Sequence, residues 1–357
     1  MSSDLTALLL EIAQTPAPTF AEGQRASLIA SRWAGFGFEP HLDAAGNVIA
    51  KIGSGGFRVA LAAHLDTVFE ANTDLIMQKK GSRIIGAGIG DNAASLAILT
   101  AYAQHLAQHG APCEIWLVAS TGEEGLGDLR GAKHFLAQHG ANLDAFIAVD
   151  GYIGLIVNQA VGVRRYRASF SSDGGHSWGN AGNPSSIHAL AESISELYKI
   201  ALPQEPRTTL SVGTVSGGTS VNSIAASAEF LLDLRSLEAG TLEQLAREAK
   251  AAIGRGAKRA KVEFKLELVG DRSAGTTKNG ALMRAAHAAL ELVGIQPRVV
   301  ASSTDANAAV PHGVPAIGFG VYVGGNAHRL DEWVEPDSLP KGLRALEQLV
   351  LQLSRLE

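Results

Sequence analysis

Residues Phe57–Thr67 read FRVALAAHLDT. A mostly apolar run from Phe57 to Ala63 stops abruptly at His64, Leu65 and Asp66. That is the pattern of a buried central strand that delivers polar groups to the rim of a sheet. Side chains alternate along a strand, so His64 and Asp66 leave on the same face and stand close together. A histidine that binds a metal usually donates its other ring N–H to a carboxylate, which sets its tautomer and raises its basicity, so the pair reads as a ligand with its own support. An isolated HxD is equally a strand running out into solvent, and the neighbouring segments must decide.

Working outward, Asn47–Lys51 and Phe57–Ala63 read as strands around the turn GSGG, and Glu114–Ser120 is a further apolar strand that runs into Thr121-Gly122-Glu123-Glu124-Gly125. Adjacent carboxylates bracketed by glycines repel unless something positive sits beside them, although on a solvated loop that cost is small. Phe146–Val149 is another buried-type strand and ends in Asp150-Gly151. Three strand-like runs thus deliver carboxylate or imidazole at their C-terminal ends, which is where open α/β sheets build their sites. The glycine-rich stretch RIIGAGIG leads into Asp91-Asn92 ahead of an alanine-rich helix, Ala93–His109. Asp91 is therefore a helix N-cap, an ion ligand approached closely by small residues, or both.

At 357 residues the chain suggests about two domains. Ser2–Gln14 and Ala21–Gly35 have helical spacing and would cover one sheet face. After Tyr152 the character changes: strands Val163–Phe170, Ala228–Arg235 and Val262–Leu268, with helices Ser185–Ile200 and Leu242–Ile253, make an α+β inventory of two helices and about four strands. Alternating helix and strand return from Gly280 with a helix to Leu292, strands Arg298–Ala301 and Val314–Gly320, and a closing amphipathic helix near Ser338–Leu356. The fold class expected is α/β, with residues 1–162 and 274–357 as one discontinuous domain and 163–273 as an inserted α+β domain.

Lysine plus arginine number 30 and aspartate plus glutamate 35, a balance of −5 that argues against nucleic acid or an anionic membrane as partner. Cys113 is the single cysteine, so an intramolecular disulfide is impossible and a reducing compartment fits. The N-terminal segment lacks a basic signal-peptide start and no run is long enough to span a bilayer, so a cytoplasmic location is expected.

Carboxylates and imidazoles without a nearby thiol suit zinc, cobalt or manganese. With one carboxylate as a bridge, His64, Asp91, Glu124, Asp150 and His328 would give two ions three protein contacts each, leaving positions for water and a substrate carbonyl. Glu123, adjacent to a ligand yet not needed as one, is the candidate general base.

At these residues the chain resembles the M20 metallopeptidases, the family of carboxypeptidase G2, aminoacylase, peptidase T and the dipeptidases. HLDT at 64–67, GDN at 90–92, TGEEG at 121–125, VDG at 149–151, GGHS at 174–177, NSIA at 222–225, DLRS at 233–236 and GGNAH at 324–328 occur in family order across nearly the whole chain. The stretches GGTSVNSIA and STDAN look most like the peptidase T branch, whereas Asn92 stands where many members have a second aspartate. The resemblance implies a zinc-peptidase α/β catalytic domain carrying an inserted dimerisation lid. It implies that His64, Asp91 and Asp150 hold one zinc and Asp91, Glu124 and His328 the other, with Asp66 orienting His64 and Glu123 as base. It also implies a homodimer in which His176, in the lid, donates to the oxyanion of the partner's site. Arg235 and Asn222 would bind substrate, Arg235 by forking onto a carboxylate, unless it serves a structural ion pair with Asp233. The activity expected is hydrolysis of an amide bond in short peptides; an N-acyl-amino-acid deacylase and a non-catalytic metal or peptide binder are the rivals. An intact Glu123 speaks against the binder, which has no use for a base.

Overall fold

The computed structural model describes residues 2–356. Its organising element is the strand Arg58–His64, buried at six of its seven positions. Parallel neighbours flank it, Glu114–Ser120 with His64 opposite Ser120, and Ala145–Val149 with Ala62 opposite Ala148. The full sheet has eight strands in the order His41–Leu42, Val48–Ile52, Glu114–Ser120, Arg58–His64, Ala145–Val149, Ala316–Phe319, Leu155–Ala160, Arg298–Ser302. It is mixed: the first two pairings and that between Ala316–Phe319 and Leu155–Ala160 are antiparallel.

Both faces of this sheet are covered, which is why its central strands are apolar throughout rather than alternating. Val59, Leu61 and Ala63 point into a large core with Leu9, Ile29, Trp33, Leu99 and Leu346, supplied by helices Ser2–Ala13, Gly23–Gly35, Ala93–His109 and Leu339–Leu353. Ala60 and Ala62 point the other way, against Phe135 of helix Arg130–His139 and Ala309 of the short 3₁₀ helix Asp305–His312. Fully burying one such leucine is worth about 1.5–3 kcal/mol. This packing therefore fixes the register of the strands that end at the polar rim.

A second compact unit, Val161–Gly275, is built differently. Four antiparallel strands run in the order Thr208–Gly217, Ser227–Ser236, Gly162–Ser171, Glu263–Arg272. Helices Ser186–Leu197 and Ala239–Arg259 pack on one face only, so Ser227–Ser236 alternates: Ala228, Phe230, Leu232 and Leu234 are buried and the residues between them are not. The remainder of the chain, residues 1–160 and 276–357, is the other compact unit. Among the described residues no helix is long and apolar enough to cross a membrane.

Candidate metal centre

The three central parallel strands all end on one edge of the eight-stranded sheet, and each hands over a polar group there. His64 closes its own strand, 2% exposed, with Nδ1 3.0 Å from the backbone carbonyl of Asp66. A carbonyl only accepts, so Nδ1 carries the proton and Nε2 is the outward nitrogen. It lies 3.0 Å from Asp91 Oδ1. The other oxygen of the same carboxylate, Asp91 Oδ2, lies 3.2 Å from His328 Nε2, and Glu124 Oε1 lies 2.9 Å from that nitrogen. Donor atoms of His64, Asp91 and Asp150 lie within 4.8 Å of one another, as do those of Asp91, Glu124 and His328, and those of His64, Glu123 and Glu124.

Asp66 stands beside His64 and serves a second neighbour as well. Its carboxylate lies 3.5 Å from His64 Nδ1, while its oxygens accept the backbone N–H groups of Glu123 and Glu124, each at 2.9 Å, and the hydroxyl of Thr19. The carbonyl of Asp66 thus orients the ring and its carboxylate orders the Glu123-Glu124 turn. Asp91 is not a helix cap: the helix starts at Ala93 behind Asn92, with no side-chain cap. Asn92 Nδ2 donates to the carbonyl of Val149, tying that helix start to the strand that delivers Asp150.

Carboxylates outnumber imidazoles here, and the proton affinities follow. Burial and the neighbouring Asp91 carboxylate push Asp150 up to about 7. The hydrogen-bonded Asp91 and Glu124 carboxylates hold His328 up to about 11. Burial opposes charge on His64, yet the Asp66 and Asp91 carboxylates keep it well above the ordinary imidazole range. A cluster this rich in hard anionic oxygens and nitrogen, without a thiolate, fits divalent cations as its counter-charge.

In the second compact unit His176 sits in a two-stranded ribbon, Gly175–His176 against Ser223–Ile224. Its Nδ1 accepts the backbone N–H groups of Trp178 and Gly179, both at 3.2 Å. Asn222 precedes the partner strand; its carbonyl accepts from Ser177 and its side-chain oxygen from Ser220. Arg235 donates Nε–H to Asp233 Oδ1 at 2.7 Å, and Asp233 also receives Arg165. The ion pair named above as the structural alternative is therefore formed.

Two residues around the centre escaped the sequence. Arg25 is fully buried and donates to the carbonyls of Thr15 and Leu65, and burial lowers it to about 10. Glu332 accepts backbone N–H groups beside Asp91. Neither carries a local pattern, because each is defined by partners far away in the chain.

The model of peptidase family M20/M25/M40 matches residues 60–352. The chain belongs to this family. It is accordingly a hydrolytic enzyme of the M20 type. Similar solved structures include the aminopeptidase PepT from Bacillus cereus, 22% identical with a TM-score of 0.77, and a tripeptidase from Staphylococcus aureus, 20% identical with a TM-score of 0.81; in both cases 99% of each chain is covered. A Bacillus subtilis protein described as a dinuclear metal binding peptidase from the M20 family is 16% identical over 98% of this chain and 97% of its own, with a TM-score of 0.68. Among curated sequences, acetylornithine deacetylase of Edwardsiella ictaluri is 24% identical over 56% of this chain, and the match spans 55% of that relative's length.

Proposed function

We propose that this M20 enzyme uses two divalent ions, zinc first with cobalt or manganese as alternatives, to hydrolyse the amide bond of short peptides. The observation that carries this reading is the Asp91 carboxylate, which faces His64 with one oxygen and His328 with the other at 3.0 and 3.2 Å. One carboxylate serving two ligand sets is what a shared bridge requires. His64, Asp91 and Asp150 would hold one ion, and Asp91, Glu124 and His328 the other. Bound there, the ions would supply acidified water and a polarised carbonyl.

Glu123 takes the proton of the attacking water on its carboxylate and returns it to the departing amine. Its backbone is pinned by the bond to Asp66, so the acid is held beside Glu124 and His64. His176 supplies the oxyanion donor: two N–H groups occupy Nδ1, which leaves Nε2 to carry the ring proton. Asp233 orients the Arg235 guanidinium through Nε, and its remaining N–H groups fork onto a substrate carboxylate, with Asn222 adding a hydrogen bond. The inserted unit acts as dimerisation lid of a homodimer. Its sheet ends in two ten-residue edge strands, Thr208–Gly217 and Glu263–Arg272, suited to pairing with a second copy.

The likeness to acetylornithine deacetylase favours a second reading, a deacylase of N-acyl amino acids working by the same chemistry. A panel of di- and tripeptides, free or N-blocked, run with zinc, cobalt or manganese separates the two. Preference for a free N-terminus supports the peptidase, preference for N-acyl substrates the deacylase, and two bound ions with no turnover on either would leave a binder. Metal analysis of protein prepared without chelator should find two ions per chain; a stoichiometry that never exceeds one in excess metal overturns the bridge.

A further inference from the structure

Glu332 is 1% exposed and lies four residues beyond His328, yet its oxygens face backbone rather than the ligand cluster. Oε2 accepts the N–H of Gly88 at 3.0 Å, and Oε1 accepts those of Gly90 at 3.2 Å and Asp91 at 2.7 Å. The carbonyl of Glu332 takes a fourth, from Gly86 at 2.9 Å. One residue thus satisfies four amides in the six-residue segment that leads into Asp91. The following residues extend the contact: Trp333-Val334 pairs with Ile85 and Ile84, and the Arg83 guanidinium lies 3.6 Å over the Trp333 ring. Burying a carboxylate is costly unless its oxygens are bonded, and three N–H groups offset that cost only while the segment 86–91 keeps this shape. Gly90 is part of the fit, since a Cβ there would stand 2.6 Å from Glu332 Oε1 and 3.0 Å from Tyr322 Oη.

We propose that Glu332 is the positioning residue of the metal centre: it sets the Asp91 carboxylate between the two imidazoles and keys the loop that carries His328 to the loop that carries Asp91. The proposal rests on reading Asp91 as the bridge. It parallels Asp66, whose carboxylate orders the Glu123-Glu124 turn through two backbone N–H groups. Each acidic turn of the centre then has its own buried acceptor. Removing supports of this kind costs roughly tenfold to a hundredfold in metal affinity.

The test is Glu332→Gln in the full-length, metal-stripped protein. An amide oxygen can still accept from Gly90 and Asp91, but its NH₂ meets the N–H of Gly88 donor to donor. Zinc stoichiometry and affinity come from competition with a chromophoric chelator, alongside thermal unfolding with and without zinc and a separate kcat and KM. The expected result is one zinc bound about ten- to a hundredfold more weakly, a smaller zinc-induced rise in Tm, and a fall in kcat at unchanged KM. Gly90→Ala, which keeps the Glu332 charge, should move zinc affinity in the same direction, and it carries the test alone if the first variant does not fold. Two zinc ions bound with wild-type affinity in every variant that folds, with only the metal-free Tm lowered, would make Glu332 a structural residue and overturn the proposal. A wild-type chain that binds a single zinc overturns the bridge reading beneath it, before any variant is compared.

Discussion

His64 and His176 are both histidines at the end of a strand, and the backbone around them assigns their ring protons in opposite ways. His64 gives its Nδ1 proton to a carbonyl, so Nε2 is the nitrogen turned toward Asp91, as a metal ligand needs. His176 accepts two N–H groups on Nδ1, so Nε2 holds the proton, as a hydrogen-bond donor needs. One ring is buried under a two-sided sheet and the other exposed in a two-residue ribbon. The lesson is that the role of an imidazole is set by what its other nitrogen meets, and that neither role can be read from the residue alone.

That contrast can be broken most severely on the buried side. Glu123→Gln should retain both metals and lose ~10²–10⁴ in kcat, the usual cost of a missing general base; near-normal turnover would return Glu123 to an ordinary loop acid. On the exposed side His176→Ala should lose ~10²–10³ in kcat, the range for one oxyanion donor, with metal content and Tm unchanged because only solvent-accessible N–H groups are released. Mixing the two inactive variants sharpens the point: a mixed dimer in which His176 acts across the interface regains activity, and verified mixed dimers without activity would exclude that arrangement.

Chelation probes the same contrast without mutation. Stripping metal that had been present at about a hundred times its Kd should cost about 2.7 kcal/mol of stability. The loss should appear as faster amide exchange at Asp91, Glu123 and Glu124, with Trp178 and Gly179 unaffected. The smallest effect is expected at Arg235→Lys, which removes the planar fork while keeping the charge. KM for a substrate with a free carboxylate should rise roughly tenfold, near the worth of one charge-assisted hydrogen bond, and kcat should hold. Identical KM values for carboxylate and amide forms of the substrate would leave Arg235 as nothing more than the partner of Asp233.

Strand ends were legible because burial writes itself into local composition. The apolar runs ending at His64, Ser120 and Val149 marked the rim, and with it His64, Asp66, Glu123, Glu124 and Asp150. The edge strand Thr208–Gly217 was missed as a named element, since TTLSVGTVSG is polar and glycine-containing and its side chains stay mostly exposed. The 3₁₀ helix Asp305–His312 hid behind a polar stretch and Pro311.

By itself, then, the sequence determined which residues are apolar at which spacing, and so the α/β class, the change of character after Tyr152 and the family motifs in their order. Only the tertiary structure decided that the Asp66 carboxylate serves the Glu123-Glu124 turn, that Arg235 pairs with Asp233, and that Glu332 lies under Asp91. Periodicity is a property of neighbours along the chain, whereas the Asp66 and Glu332 bonds depend on loops brought together from distant parts of it. Asp233 and Arg235 lie two residues apart on one strand, and there the structure decided only that the pair is formed.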